Sequence, residues 1–152
     1  KMKSNKGFTL IELLAVIVIL AIIALIATPI ILNVIDTARK GSAESSALGY
    51  IDGVENQVMV AQVTSDTTDD IAYPKSYTTV ASSADKAEGK IFVDVKGTQP
   101  DAGSIVNIDE KGLVESACIK VTLGGKTYNV DYDGKKAQVK DACTVTAKTY
   151  GA

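Results

Sequence analysis

From Leu13 to Ala27 every residue is apolar, and only Thr28 and Pro29 separate that run from Ile30, Ile31 and Leu32. A helix on the surface of a small domain needs one buried stripe, whereas this stretch is greasy on every side. It demands lipid or other protein on all faces. About 20 residues at 1.5 Å rise span the ~30 Å hydrocarbon core of a bilayer, so the length fits a membrane-spanning helix. Burying so many large side chains is worth tens of kcal/mol gross, at roughly 1.5–3 kcal/mol each. One acid, Glu12, stands near the start of this segment, the fifth residue counting from Phe8. A carboxylate inside an apolar element costs up to a few kcal/mol unless it is paired, which marks it as functional. The competing reading is a solvated residue at a helix start, favoured there by the helix dipole.

After Leu32 the pattern changes to Asn33-Val34-Ile35-Asp36-Thr37-Ala38-Arg39-Lys40, and apolar residues recur at Ala47, Ile51, Val54, Val58 and Ala61. Spacings of four, three, four and three predict an amphipathic helix with a single buried stripe. A helix from Phe8 to about Val63 is roughly 84 Å long, so its second half packs on a head and its first half projects. Gly41, Ser42, Ser45, Ser46, Gly49 and Gly53 add a small-residue surface. It reads either as weak helix propensity tolerated by packing or as a place for close approach by neighbouring helices. The polar run Thr64-Ser65-Asp66-Thr67-Thr68-Asp69-Asp70 ends the helix. Residues 64–90, with Pro74 and several Ser and Thr, read as a connecting region without regular elements.

Period-two patterns then predict strands at Ile91–Val95 and Ser104–Ile108, followed by a meander of Ala117–Leu123, Lys126–Tyr132 and Lys135–Asp141. Gly124-Gly125 and Asp133-Gly134 read as two-residue hairpin turns. In that register Ile119, Val121, Tyr128, Val130, Tyr132, Ala137 and Val139 share one face, the bed for the helix stripe. Lys120, Thr122, Thr127, Asn129, Asp131, Gln138 and Lys140 share the other, and Cys118 falls among them. The fold class is α+β: one long amino-terminal helix on an antiparallel sheet.

Composition narrows the chemistry. The chain has 152 residues and a formal net charge of −2, enough for one domain beside the apolar rod. Lys1, Lys3 and Lys6 precede Gly7 without any acid, leaving 13 basic residues against 18 acidic ones from Phe8 onward. No basic block follows Lys6, which argues against a nucleic-acid partner. There is no histidine, which removes the commonest general base, the usual zinc ligand and any Ser–His or Cys–His nucleophile. Two cysteines without histidine make no ordinary structural zinc site by themselves. Gly124-Gly125-Lys126-Thr127 has the tail of a phosphate-binding loop, but Lys120 stands where its first glycine belongs and no helix follows. Asp131-Tyr132-Asp133-Gly134 hints at a calcium loop, but Lys135 and Ala142 occupy later ligand positions. The expectation is a protein with no enzymatic activity, no cofactor and no metal.

The lysines before Gly7 are a cytoplasmic flank under the positive-inside rule. A cleavable signal peptide needs a small-x-small site after the apolar run, where Ala27-Thr28-Pro29-Ile30 stands instead. A permanent anchor fits the length but explains neither Glu12 nor Gly7. The string Lys6-Gly7-Phe8-Thr9-Leu10-Ile11-Glu12, followed by a membrane-length apolar helix, resembles the signature of type IV pilins and their pseudopilin relatives. The resemblance covers Lys3 to about Ala38 closely and the remainder only in layout.

That resemblance implies a set of roles. Gly7 is the residue before the cut by a prepilin peptidase, Phe8 the new and usually N-methylated amino terminus, and Glu12 the acid that meets the amino terminus of a neighbouring subunit. Two opposite charges stranded in an apolar bundle compensate each other. Pro29 matches a family proline at which the helix kinks or weakens. The bridge Cys118–Cys143 is implied for a carboxy-terminal loop, which some pilins close and others lack, and exported proteins usually pair such cysteines. An ideal meander leaves Cys143 beyond the far end of the sheet from Cys118, so the chain after Asp141 must turn back. The expected organisation is a leader at 1–7, a transmembrane and assembly helix at 8–32, its amphipathic continuation at 33–63 and a β-rich head at 64–152. The implied function is a structural pilus subunit, held in the cytoplasmic membrane before assembly and exposed on the cell surface as a filament afterwards. Its partners are copies of itself, the prepilin peptidase, an assembly ATPase and a membrane platform protein. A pseudopilin of a type II secretion or competence apparatus is the alternative, and an unrelated membrane-anchored domain a third reading.

Overall fold

A computed structural model of the chain describes residues 7–64, 75–85 and 87–150. Residues 1–6 of the leader and residues 65–74 and 86 of the connecting region lie outside the described residues, as does most of the polar run expected to end the helix. The chain divides into two units, 1–38 and 39–152. The helix α1, Leu10–Thr64, contributes to both, and its bounds lie within two residues of those the pattern predicts. In the first unit every large apolar side chain from Phe8 to Ile35 is exposed.

In the second unit the stripe on α1 is Ala43, Ala47, Tyr50, Ile51, Val54 and Val58, all buried. Ala61, expected on that stripe, is only half-buried. The stripe joins one core with Val106, Ile108, Ala117, Ile119, Val121, Tyr128 and Val130 of the sheet. Tyr132, Ala137 and Val139 pack at its margin, so the predicted core face of the meander is the observed one.

Six strands form the sheet: β1 Lys75–Thr79, β2 Lys90–Ile91, β3 Ile105–Ile108, β4 Val114–Leu123, β5 Lys126–Tyr132 and β6 Ala137–Lys140. Their spatial order is β2-β1-β3-β4-β5-β6. All neighbours are antiparallel except β1 and β2, which pair in parallel. Strand β1 arises where the pattern gave no regular element. Its Tyr77 and Thr79 face inward, and Thr79 Oγ1 donates to the Asp101 carbonyl and accepts from Ser104 N–H, so a polar residue closes a buried position.

Two expectations need correction. The strand expected at 91–95 is only Lys90–Ile91, because beyond it the chain folds over the helix instead of continuing the ladder. Val93 and Val95 lie against Gly53 of α1, where an added Cβ would fall 2.7 Å from Val95 Cγ1. Gln99 Nε2 holds the following turn through the Val95 carbonyl and the Asp94 carboxylate. The second hairpin is also not a two-residue turn. Tyr132 pairs with Ala137, leaving four residues between the strands, and Asp133 Oδ1 accepts from the N–H groups of Lys135 and Lys136 at 2.9 and 2.8 Å. By contrast Gly124-Gly125 is the tight turn expected, with Leu123 paired to Lys126 and φ of 58° and 79°.

Two helix glutamates fix the sheet. Glu55 accepts from Val114 N–H and Glu44 from Val139 N–H, both at 3.0 Å, giving acceptors to strand amides that face away from a neighbouring strand.

Candidate functional site

The amino-terminal unit is built from a cap and an apolar surface. Thr9 precedes the first helical residue, and Glu12 is the third helical residue. Glu12 Oε2 accepts from Thr9 N–H at 2.8 Å and from Thr9 Oγ1 at 2.7 Å, and Glu12 N–H donates to Thr9 Oγ1 at 3.4 Å. This is a reciprocal capping box, which satisfies amides that a helix start leaves without partners. The T-x-x-E spacing of Thr9 and Glu12 carries the signal in the sequence, although the pattern of apolar residues does not. Glu12 therefore has a local role that is compatible with a second one, since both bonds from Thr9 end on the same oxygen.

The helix runs unbroken through Pro29. Proline removes the amide that would bond the Leu25 carbonyl. Thr28 does not take that carbonyl: its Oγ1 donates to the Ala24 carbonyl at 2.7 Å. The same return to the preceding turn recurs at Thr37, Ser46 and Thr64, which donate to the carbonyls of Asn33, Ser42 and Val60. Each of these four hydroxyls is spent on its own helix. Around them Leu13, Leu14, Val16, Ile17, Val18, Ile19 and Leu20 are all about half exposed or more. The helix is long and apolar enough to cross a membrane.

The second candidate lies on the other face of the sheet. After β6 the chain bends at Asp141 and Ala142 and returns across that face as the tail 143–150. Cys143 is joined to Cys118 in a disulfide, with Cα atoms 5.7 Å apart. The return that an ideal meander lacks is thus supplied by the bend, and Asn129 Nδ2 donates to the Asp141 carbonyl there. Beyond Cys143, Thr144 donates through both its N–H and its hydroxyl to Asp131. The fully buried Asn107 then grips the tail backbone twice, its Nδ2 donating to the Thr146 carbonyl and its Oδ1 accepting from Lys148 N–H. Glu115 receives a hydrogen bond from the Tyr150 hydroxyl and pairs with Lys148 Nζ at 2.9 Å. The Tyr150 hydroxyl and the Lys148 ammonium hold the Glu115 carboxyl below its ordinary range, while burial and then Glu115 itself push the Tyr150 phenol upward.

The predicted site residues fall into these two groups. Gly7, Phe8, Glu12 and Pro29 lie along the amino-terminal unit, and Cys118 and Cys143 meet on the sheet. Sequence reasoning missed Asn107 and Asp131, which are buried polar residues on strands. Alternation marked Asp131 as a polar-face position and left Asn107 within a strand without a face, and it gave no sign that a tail covers them.

No curated protein and no solved structure matches the chain. A protein-family model, described as the prokaryotic N-terminal methylation motif, matches residues 2–28. That span contains Gly7, Phe8, the Thr9–Glu12 cap and the apolar run through Thr28, and it ends where Pro29 begins. The chain carries the prepilin signature shared by type IV pilins and pseudopilins, on an α+β fold with one long amino-terminal helix.

Proposed function

We propose that this chain is a structural subunit of a type IV pilus. A prepilin peptidase cuts between Gly7 and Phe8, the new Phe8 amine is methylated, and residues 8–32 pass from the membrane into the core of a filament. Residues 33–63 continue that helix beneath the head at 64–152, which forms the filament surface. Glu12 meets the amine of a neighbouring Phe8, and Pro29 is the place where the rod yields. An assembly ATPase and a membrane platform protein drive the transfer, and the subunit needs no cofactor and catalyses no reaction.

The observation that carries this reading is one coincidence. The methylation motif at residues 2–28 covers most of the stretch, Phe8 to Ile35, in which every large apolar side chain is exposed. A surface of that size is stable in lipid or against other protein, and a processed subunit uses the first and then the second. The exported tail disulfide agrees with a head on the outer side of the membrane.

Mass spectrometry of the chain from surface-sheared material tests processing: the expected species begins at methylated Phe8, and an intact Met2 leader there refutes it. Electron microscopy of the same material tests assembly. Filaments labelled by an antibody to the head are expected. Processed subunit that remains with the cell, without filaments, would instead make the protein a pseudopilin.

A further inference from the structure

The disulfide between Cys118 and Cys143 has an acid as its neighbour. Cys118 on β4 is the cross-strand partner of Asp131 on β5. The two sulfurs and a carboxylate oxygen of Asp131 lie within 4.8 Å of one another. Asn129, two positions from Asp131 and on the same face, places its Oδ1 3.9 Å from Cys143 Sγ. Cys118 is fully buried and Asp131 nearly so, while Cys143 is half-buried on the tail. A cleft of about 570 Å³ reaches the carboxylate side of this cluster, lined by Asp131, Gln138 and Thr144 among others.

We propose that this cluster is a zinc site that exists only in the reduced protein. In it Cys118 and Cys143 act as thiolates and Asp131 as a carboxylate ligand, with the Asn129 side-chain oxygen or water in the fourth position. Sulfur and oxygen donors of this type suit Zn²⁺, which takes four ligands at about 2.0–2.3 Å and so places them about 3.3–3.8 Å apart. Asp131 is already within reach. The sulfurs must part, and Cys143 can move because it follows the bend at Asp141–Ala142 rather than lying in a strand. Thr144 donates to Asp131 from the tail itself, which orients the carboxylate as an outer-shell partner does in known metal sites. Disulfide and metal are thus alternative ways to pin the tail to the sheet.

The chemistry balances with a trialkylphosphine as the reductant. The sulfur–sulfur bond breaks, phosphorus takes the oxygen of one water to become the phosphine oxide, and the two hydrogens of that water end on the two sulfurs. Zinc binding then releases both thiol protons, so affinity rises with pH.

The test uses the full chain in detergent, reduced with a water-soluble trialkylphosphine and titrated with Co²⁺ alone, then with Zn²⁺. One cobalt ion per chain is expected, with a thiolate-to-cobalt charge-transfer absorption that zinc abolishes by displacement. The oxidised chain should show none. Asp131→Asn, which keeps size but not charge, should weaken cobalt binding by about tenfold or more. Cys143→Ser, which keeps Asp131 but loses one thiolate, should weaken it further and diminish the absorption. A reduced wild-type chain without that absorption overturns the proposal, as does wild-type affinity in either variant.

Discussion

Both bonds that Thr9 gives to Glu12 end on Oε2, so one carboxylate can cap its own helix and still offer Oε1 to a second partner. The two roles separate by substitution. Glutamine serves the capping box as well as glutamate does, but it carries no charge. Glu12→Gln should therefore leave the helix content of detergent-solubilised subunit unchanged. It should also remove a buried ion-pair contact worth about 3–5 kcal/mol when broken from one side. Sheared filament yield should fall well over tenfold, and wild-type yield would leave Glu12 with its cap alone. A second pair of variants addresses the small-residue face. An alanine methyl at Gly53 would collide with Val95, whereas Gly49 has open space around it. Gly49→Ala should stabilise the subunit by up to about 1 kcal/mol through helix propensity, and Gly53→Ala should destabilise it by about 1–2 kcal/mol through overpacking. Thermal melts of the two variants read the contrast directly. The sequence placed both glycines on one helix but did not separate them, because Val93 and Val95 reach Gly53 from a segment with no strand partner.

At the scale of elements, the parts legible in the sequence are those whose partners are close along the chain. The meander from Ala117 to Lys140 folds through short connections, so alternation sets its core face, which survives although β6 pairs two residues further along than a two-residue turn at Asp133-Gly134 would place it. The parallel pair of β1 and β2 joins Thr78–Thr79 to Lys90–Ile91 across a crossover, and β1 has little period-two signal because Thr79 occupies an inward position. The tail was legible at one point, Cys143, and its route was not, because its grip is made by buried side chains instead of a ladder. Two predictions concern that grip. Closing a loop with a sequence separation of 25 is worth about 3.5 kcal/mol in the chain-entropy model. The Cys118→Ser/Cys143→Ser double variant should lose stability of about that size in urea titrations. Acid should loosen the remainder. The Glu115 carboxyl lies below its unfolded value, so its contribution is complete above the ordinary carboxylate range and is lost as pH falls through the lowered folded value. Protection of the tail amides from hydrogen exchange should hold at neutral pH and drop below that range. In Glu115→Gln this acid-induced step should shrink.

For the whole molecule, the division of labour along the chain is written in where the buried side chains begin. Among the described residues the core draws on none before Ala43, and the side chains of the first unit are nearly all exposed. The apolar run was the most legible feature in the sequence because its signal is consecutive, and its exposure follows from having no polar face to turn outward. A chain cut to 39–152 should consequently fold without the rod. It keeps the whole buried stripe from Ala43 to Val58, the two glutamates that hold β4 and β6, and the tail disulfide. It also keeps Arg39, whose guanidinium lies against Gly124 of the tight turn. Its new helix start lacks a capping residue, which costs about 1 kcal/mol and frays the first turn ahead of Ala43. The fragment should be soluble without detergent and melt cooperatively, while the full chain requires detergent for the same measurement. Aggregation of the fragment, or a melt without cooperativity, would mean that residues 1–38 contribute to the stability of the head and are not solely an assembly element.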